Sequence, residues 1–174
     1  AIIKVSAASE KFFDHTGPAV VFNSPTEVAE YMESSQEGVT GNHVLVLRNS
    51  GPVGAGMPEA GSMAIPRSLA TQGIKDIVRV SDARMSGTSY GTVILHCAPE
   101  SAVGGLLSVV ENNDQIHFDL ESRRLDLLVD EDEISKRQSN STPPLPSPGA
   151  ERRWRKIQST FVSQANLGAD LDIP

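Results

Sequence analysis

The feature that most constrains this chain is a set of short, β-branched apolar runs, two of which lead straight into glycine-bearing polar loops. Residues 43–47 read HVLVL, 76–80 read DIVRV and 92–95 read TVIL. Runs of four or five such residues are too short for amphipathic helices, and the first is continuously apolar, as a strand buried on both faces would be. Residues 2–5 and 19–22 read as two further strands. Helices are sparse. Ser24, Pro25 and Glu27 stand at the N-cap, first and third positions of a capping box, and the helix behind them carries Val28, Tyr31 and Met32 on one face. Pro66 opens a short helix that Gly73 closes. Residues 106–129 read as a β-meander, with Ile116, Phe118 and Leu120 alternating with His117 and Asp119, and a turn at 112–114. Asp130 and Glu133 start a short helix toward Arg137. Strands mixed with few helices and two long glycine loops give one α/β domain with a barrel-like sheet.

Residues 1–138 form that domain. Residues 139–150 (SNSTPPLPSPGA) are a proline-rich linker that favours an extended path. Residues 151–174 are expected to form a helix with Trp154, Ile157 and Phe161 on one face, then an acidic tail, packing on the same domain. Arg152, Arg153, Arg155 and Lys156 around Trp154 read as a solvated helix face. A chain of 174 residues can hide ~70% of its unfolded surface without covalent staples. Its net charge of −7 argues against nucleic-acid and anionic-membrane partners. No apolar run approaches the ~20 residues of a membrane span. The opening AIIKVSAASE has no signal-peptide pattern, and a single cysteine suits a reducing compartment, so a cytoplasmic location is expected. Cys97, being alone, can form no disulfide within the chain and cannot hold an iron–sulfur cluster. His15, His43, His96 and His117 form no HxH or HxxxH pair, which argues against zinc.

Two loops carry the chemistry. The first, residues 49–61 (NSGPVGAGMPEAG), contains Gly54, Gly56, Met57, Pro58 and Glu59. Its glycines allow backbone N–H groups to approach a ligand, and Glu59 is suited to ligate a hard cation or to act as acid or base. A tight turn with a solvated glutamate accounts for the same residues. The second, residues 81–91 (SDARMSGTSYG), carries Ser81, Asp82, Arg84, Ser86, Thr88 and Tyr90. Its hydroxyls and Arg84 suit an anionic substrate, and it follows a strand, where α/β proteins place ligands. A serine-rich turn with an internal Asp82–Arg84 pair is the alternative. Ser86, His96 and Asp82 have the residue types of a hydrolytic triad, but no nucleophile-elbow motif accompanies them. Met57, Met63 and Met85 are either pocket-lining or core.

GPVGAGMPE at 51–59, SDARMSGTSYGTVILH at 81–96, APESAVGG at 98–105 and RRLDLLVDEDEISKR at 123–137 resemble the signature stretches of the dihydroxy-acid and sugar-acid (IlvD/Edd) dehydratases. The similarity covers nearly the whole chain, in order, and is nearest to the sugar-acid branch. It implies a swivelling β/β/α domain with a barrel-like mixed sheet flanked by a few helices. It also implies that Glu59 helps ligate magnesium, that Ser86 is the base removing the proton α to the carboxylate, and that Thr88 helps hold substrate. The family's iron–sulfur cysteines and remaining metal ligands belong to an N-terminal domain that has no counterpart in this sequence. The first loop is one residue shorter than the family pattern GPVGGPGMPE, and Cys97 stands where relatives carry a small apolar residue.

Three functions follow as expectations. One is a cofactor-free cyclase or isomerase, such as a Diels–Alder-type pericyclase of specialised metabolism, with Ser86, Glu59 and Arg84 catalytic and Gly54, Gly56, Met57, Ser81, Asp82, Thr88 and Tyr90 around a small organic substrate. The second is part of an iron–sulfur, magnesium-dependent hydro-lyase acting on sugar acids or dihydroxy acids. The third is a non-catalytic module that binds a small acid. No cofactor is expected on this chain alone, magnesium and an iron–sulfur cluster entering only with an N-terminal dehydratase domain, and a homodimer is expected from the resemblance.

Overall fold

The computed structural model describes residues 1–34, 38–58, 63–84, 86, 90–141 and 152–173. Seven strands form one curled sheet. They are β1 (Ile2–Ile3), β2 (Asp14–Phe22), β3 (Val44–Leu47), β4 (Val78–Ser81), β5 (Val93–Leu95), β6 (Gln115–Asp119) and β7 (Arg124–Leu127), in the order β1-β5-β4-β3-β2-β6-β7. β2 to β5 are mutually parallel, while β1 joins β5 and the β6–β7 hairpin joins β2 antiparallel. The expected mixed, barrel-like α/β sheet is therefore present.

The side-chain period of two explains the layering. Val44 and Val46 of β3, Val78 and Val80 of β4 and Ile94 of β5 face one core, with Phe12, Ile116 and Phe118. Leu45, Leu47, Val93 and Leu95 face a second core with Phe22, Met63 and Leu69. Two helices cover that second face. These are α1 (Pro25–Glu33), through Val28, Tyr31 and Met32, and α3 (Arg67–Ala70), through Leu69. Successive parallel strands step across the sheet in one direction. Crossovers of one hand then leave both helices on the same side. The other face is closed by the antiparallel strands, giving a β/β/α stack with a cavity of about 710 Å³ beside the first core. Ile3, Val80, Ile94, Cys97, Leu107 and Phe118 are among its walls.

The N-cap of α1 forms as expected: Glu27 N–H donates to Ser24 Oγ at 3.2 Å. The Glu27 carboxylate reaches one residue further back than a capping box requires, accepting from Asn23 N–H at 2.7 Å. Strand β2 begins at Asp14, five residues before its expected start, despite Gly17 and Pro18. The reason is a change of partner along it. Residues Asp14 to Pro18 pair with β6, and Ala19 to Phe22 with β3. Proline, which has no N–H to donate, sits at the changeover. The expected meander is a hairpin preceded by a single 3-10 turn at Leu106–Val109. The first strand is likewise shorter than expected, with Val5–Ala7 forming another 3-10 turn. Helix α4 (Glu131–Asn140) runs past Arg137, whose guanidinium bonds Asp114 and Glu133. Helix α5 (Arg153–Phe161) lies against the first glycine loop. Among the described residues, no helix is long and apolar enough to cross a membrane.

Candidate functional site

Both loops singled out in the sequence, together with residues 96–105, leave the C-terminal ends of β3, β4 and β5. In parallel sheets that edge is where ligands bind. One carboxyl group ties all three together. Asp82, the first residue beyond β4, is fully buried. Its Oδ1 accepts the Ser50 N–H at 2.8 Å, and its Oδ2 accepts the Ser101 N–H at 3.0 Å and the Ser101 Oγ–H at 2.8 Å. The two glycine loops also meet directly, through Arg84 N–H and the Pro58 carbonyl at 3.4 Å. This contact sets the residue before Glu59 against a residue two places from Ser86.

The first loop is not irregular throughout. Gly51 leads into a single helical turn, α2 (Pro52–Ala55), closed by Gly56 at φ 72°. The N–H groups at its start point at Glu100, also fully buried. Val53 N–H lies 2.9 Å from Glu100 Oε1 and 3.1 Å from Oε2, and Gly54 N–H lies 2.9 Å from Oε2. A Cβ at position 51 would overlap the Glu100 carboxyl, so only glycine allows this approach. The Gly54 N–H, a candidate ligand donor from sequence, is thus engaged inside the protein.

The far end of the second loop is anchored from below the sheet edge. Asp76 accepts from the Thr92 N–H at 3.0 Å, the Thr92 hydroxyl at 2.6 Å and the Ser9 hydroxyl at 2.7 Å, and pairs with Arg79 at 3.3 Å. Arg79, itself buried, donates to the Tyr90 carbonyl at 3.0 Å and the Met63 carbonyl at 3.0 Å. Burial alone would raise the Asp76 pKa. The Thr92 and Ser9 hydrogen bonds and the Arg79 charge outweigh it, and the carboxyl is held below its ordinary value. A depressed carboxylate contributes stability that is complete above its unfolded pKa, ~3.9, and is lost as pH falls through the lower folded value. Asp76→Asn is therefore expected to lower stability by about 2 kcal/mol at neutral pH. The gap to wild type should close as urea titrations are moved below pH 4. A gap independent of pH would refute this assignment.

The remaining sequence-predicted residues divide into three groups. Glu59, Thr88 and Met85 lie outside the described residues. Ser86 is partly buried, while Arg84 and Tyr90 are exposed, Tyr90 at 73%. Ser81, Asp82, Met57 and Met63 are buried. The Ser81 hydroxyl accepts from Ala83 N–H at 3.0 Å, and Met63 packs in the second core. Asp82 bonds Ser50 and Ser101, neither an arginine nor an imidazole, which leaves it outside both the Asp82–Arg84 pair and the triad considered from sequence. His96 follows β5 at φ 54°, its N–H donating to the Ala83 carbonyl. Burial, then neighbouring positive charge including Arg84, holds its pKa below the ordinary value. Sequence reasoning missed Glu100, Ser101, Asp76 and Arg79 as builders of the site. The signal for Glu100 and Ser101 was their place in the stretch APESAVGG, one of those that carry the family resemblance.

Cys97 lines the cavity rather than the loops. Burial pushes its thiol up to about 12. At pH 8 the thiolate fraction is then on the order of one in ten thousand, and the thiolate is the reactive form. Iodoacetamide is expected to leave Cys97 unmodified in the native protein and to alkylate it in guanidinium chloride; rapid native labelling would contradict the placement. Among the described residues, no group of three or more His, Cys, Asp and Glu side chains is arranged to hold a metal ion. A single cysteine does not supply the set of thiolates that holds an iron–sulfur cluster, and the carboxylates of Asp76, Asp82 and Glu100 are already bound to N–H and O–H donors.

Residues 1–169 match the family described as Dihydroxy-acid/6-phosphogluconate dehydratase C-terminal. The chain is 42% identical over 173 residues to the 6-deoxy-6-sulfo-D-gluconate dehydratase of Pseudomonas putida, covering 99% of this chain and 30% of that protein. It is 42% identical over 178 residues to the L-arabonate dehydratase of Azospirillum brasilense, with the same coverage. Identity to the dihydroxy-acid dehydratase of Methanoregula boonei is 38% over 175 residues, covering 98% of this chain and 30% of that protein. The chain thus spans about 30% of the length of these curated relatives. With its β/β/α stack and its three tied loops, it belongs to the Dihydroxy-acid/6-phosphogluconate dehydratase C-terminal family.

Proposed function

We propose that this chain supplies the substrate-facing C-terminal part of a hydro-lyase that dehydrates a sugar acid. The observation that carries the reading is the convergence of the two glycine loops at one sheet edge, joined at Pro58–Arg84 and knotted by Asp82. Identity of 42% to the two sugar-acid enzymes, against 38% to the dihydroxy-acid enzyme, favours the sugar-acid branch. In a 2,3-dihydroxy acid, loss of the C2 proton and of the C3 hydroxyl leaves an enol that tautomerises to a 2-oxo acid. Ser86, as its alkoxide, takes the C2 proton and can pass it to the departing C3 hydroxyl, which leaves as water, while Arg84, Thr88 and Tyr90 orient the carboxylate and hydroxyls. Glu59 is the one residue of this chain matched to a magnesium ligand. A complete metal shell would draw its other donors from the portion of the relatives that this chain does not match.

The test is a chimera in which this chain replaces the matched segment of the Azospirillum brasilense L-arabonate dehydratase. Conversion of L-arabonate to a 2-oxo acid, read by semicarbazide absorbance, is the expected result. A folded chimera that retains its iron yet forms no 2-oxo acid from any of a panel of sugar acids would sink the reading. A cofactor-free cyclase would instead use a cavity walled by Ser86, Arg84 and residues 54–59. The 710 Å³ cavity is walled by none of Ser86, Arg84, Gly54, Gly56 or Met57, and no observation favours that reading or a purely binding role.

A further inference from the structure

The segment after residue 151 is fastened by a reciprocal pair of hydrogen bonds to Glu100, the residue that also holds the first glycine loop. Gln164 Nε2 donates to Glu100 Oε1 at 2.7 Å, and Glu100 N–H donates to Gln164 Oε1 at 2.8 Å. The same Glu100 carboxyl receives Val53 N–H and Gly54 N–H from α2. A second contact lies one turn along. The Gln158 side-chain amide of α5 sits so close over Gly56 that a Cβ there would overlap it. The chain from α5 through Gln164 therefore reaches both ends of α2, directly at Gly56 and through Glu100 at Val53 and Gly54. A buried carboxyl whose oxygens all point at N–H donors is a rigid strut, since each bond fixes the others' geometry.

We propose that Glu100 and Gln164 form a positioning clamp, by which the C-terminal segment sets the glycine loop 51–58 against the Ser86 loop. Its importance for turnover rests on the hydro-lyase reading above. The clamp has a chemical corollary. The N–H groups at the start of a helical turn attract anions, and here a protein carboxyl fills that place. That place is therefore not open to a substrate carboxylate. Glu100 touches no substrate in this arrangement, and its role is exerted through α2.

Hydrogen exchange on the full chain, read by mass spectrometry, tests the clamp without reference to activity. Gln164→Ala is expected to speed exchange in peptides covering 51–58 by at least about tenfold, following loss of two hydrogen bonds, with β3, β4 and β5 unchanged. Glu100→Gln should do so more strongly, because an amide N–H₂ then faces N–H donors. If Glu100→Gln fails to fold, Gln164→Ala stands as the test, since Gln164 lies at the periphery. Unchanged exchange at 51–58, or an equal rise across the whole chain, overturns the clamp. In the chimera, Gln164→Ala should lower kcat about tenfold with KM nearly constant, the pattern of a misplaced catalytic loop; a KM effect alone counts against it. A folded chimera that retains its iron but has no activity refutes the hydro-lyase reading, while the exchange result still decides on the clamp.

Discussion

Asp82→Ala is expected to lower the unfolding free energy by about 4 kcal/mol, the largest stability loss of any single change proposed for this fold. The carboxyl is fully buried and takes three donors: Ser50 N–H, Ser101 N–H and Ser101 Oγ–H. The hydroxyl can rotate toward another acceptor. The two backbone N–H groups cannot, and each buried donor left without a partner costs about 1–3 kcal/mol. Domains of ordinary stability have about 5–15 kcal/mol in all, so the variant would be close to the threshold of folding. Asp82→Asn should lose roughly half as much, because its carbonyl oxygen keeps one side of the knot while its N–H₂ opposes the other. Urea denaturation followed by circular dichroism measures both. A loss below about 1 kcal/mol for the alanine variant would show that the loops are held by something other than this carboxyl.

Ser86→Ala in the chimera should reduce kcat about 10²- to 10⁴-fold, the range over which a positioned base contributes. KM should change little, because the hydroxyl acts on the C2 proton and holds substrate only weakly. The exchange pattern and melting temperature should match the parent, since Ser86 is only partly buried and lies outside the Asp82 and Asp76 anchors. A kcat within about threefold of the parent would remove Ser86 from the chemistry.

How much of this was legible in the sequence depended on how far each interaction reaches along the chain. The strands at 43–47, 76–80 and 92–95 were readable because a short run of β-branched apolar side chains is a local property. The early half of β2 was not, because Gly17 and Pro18 read as breakers. Their tolerance comes from a switch of partner, from β6 to β3, that no local window contains. Helix α2 was hidden in a glycine loop for a similar reason. Its first N–H groups are satisfied by Glu100, 46 residues on from Gly54. Site residues followed the same rule. Ser86 and Arg84 were nameable from their type and loop. Asp82 was nameable only by its type, as a substrate contact, and its bonds to Ser50 and Ser101 span 32 and 19 residues, beyond any local window. Gln164, 64 residues from Glu100, was not singled out as a site residue.

One carboxyl shared by three loops also shapes how such a site can diversify. Ser50 gives Asp82 only a backbone N–H, which any residue but proline keeps, whereas Ser101 gives its hydroxyl as well, so the knot constrains the side chain at position 101 more than at position 50. Variation that respects the knot is confined to the stretch between anchors, residues 84–90, held at one end by Asp82 and at the other by the Arg79 bond to Tyr90. Exchange of that stretch as a cassette is therefore expected to leave the knot and the sheet beneath it untouched.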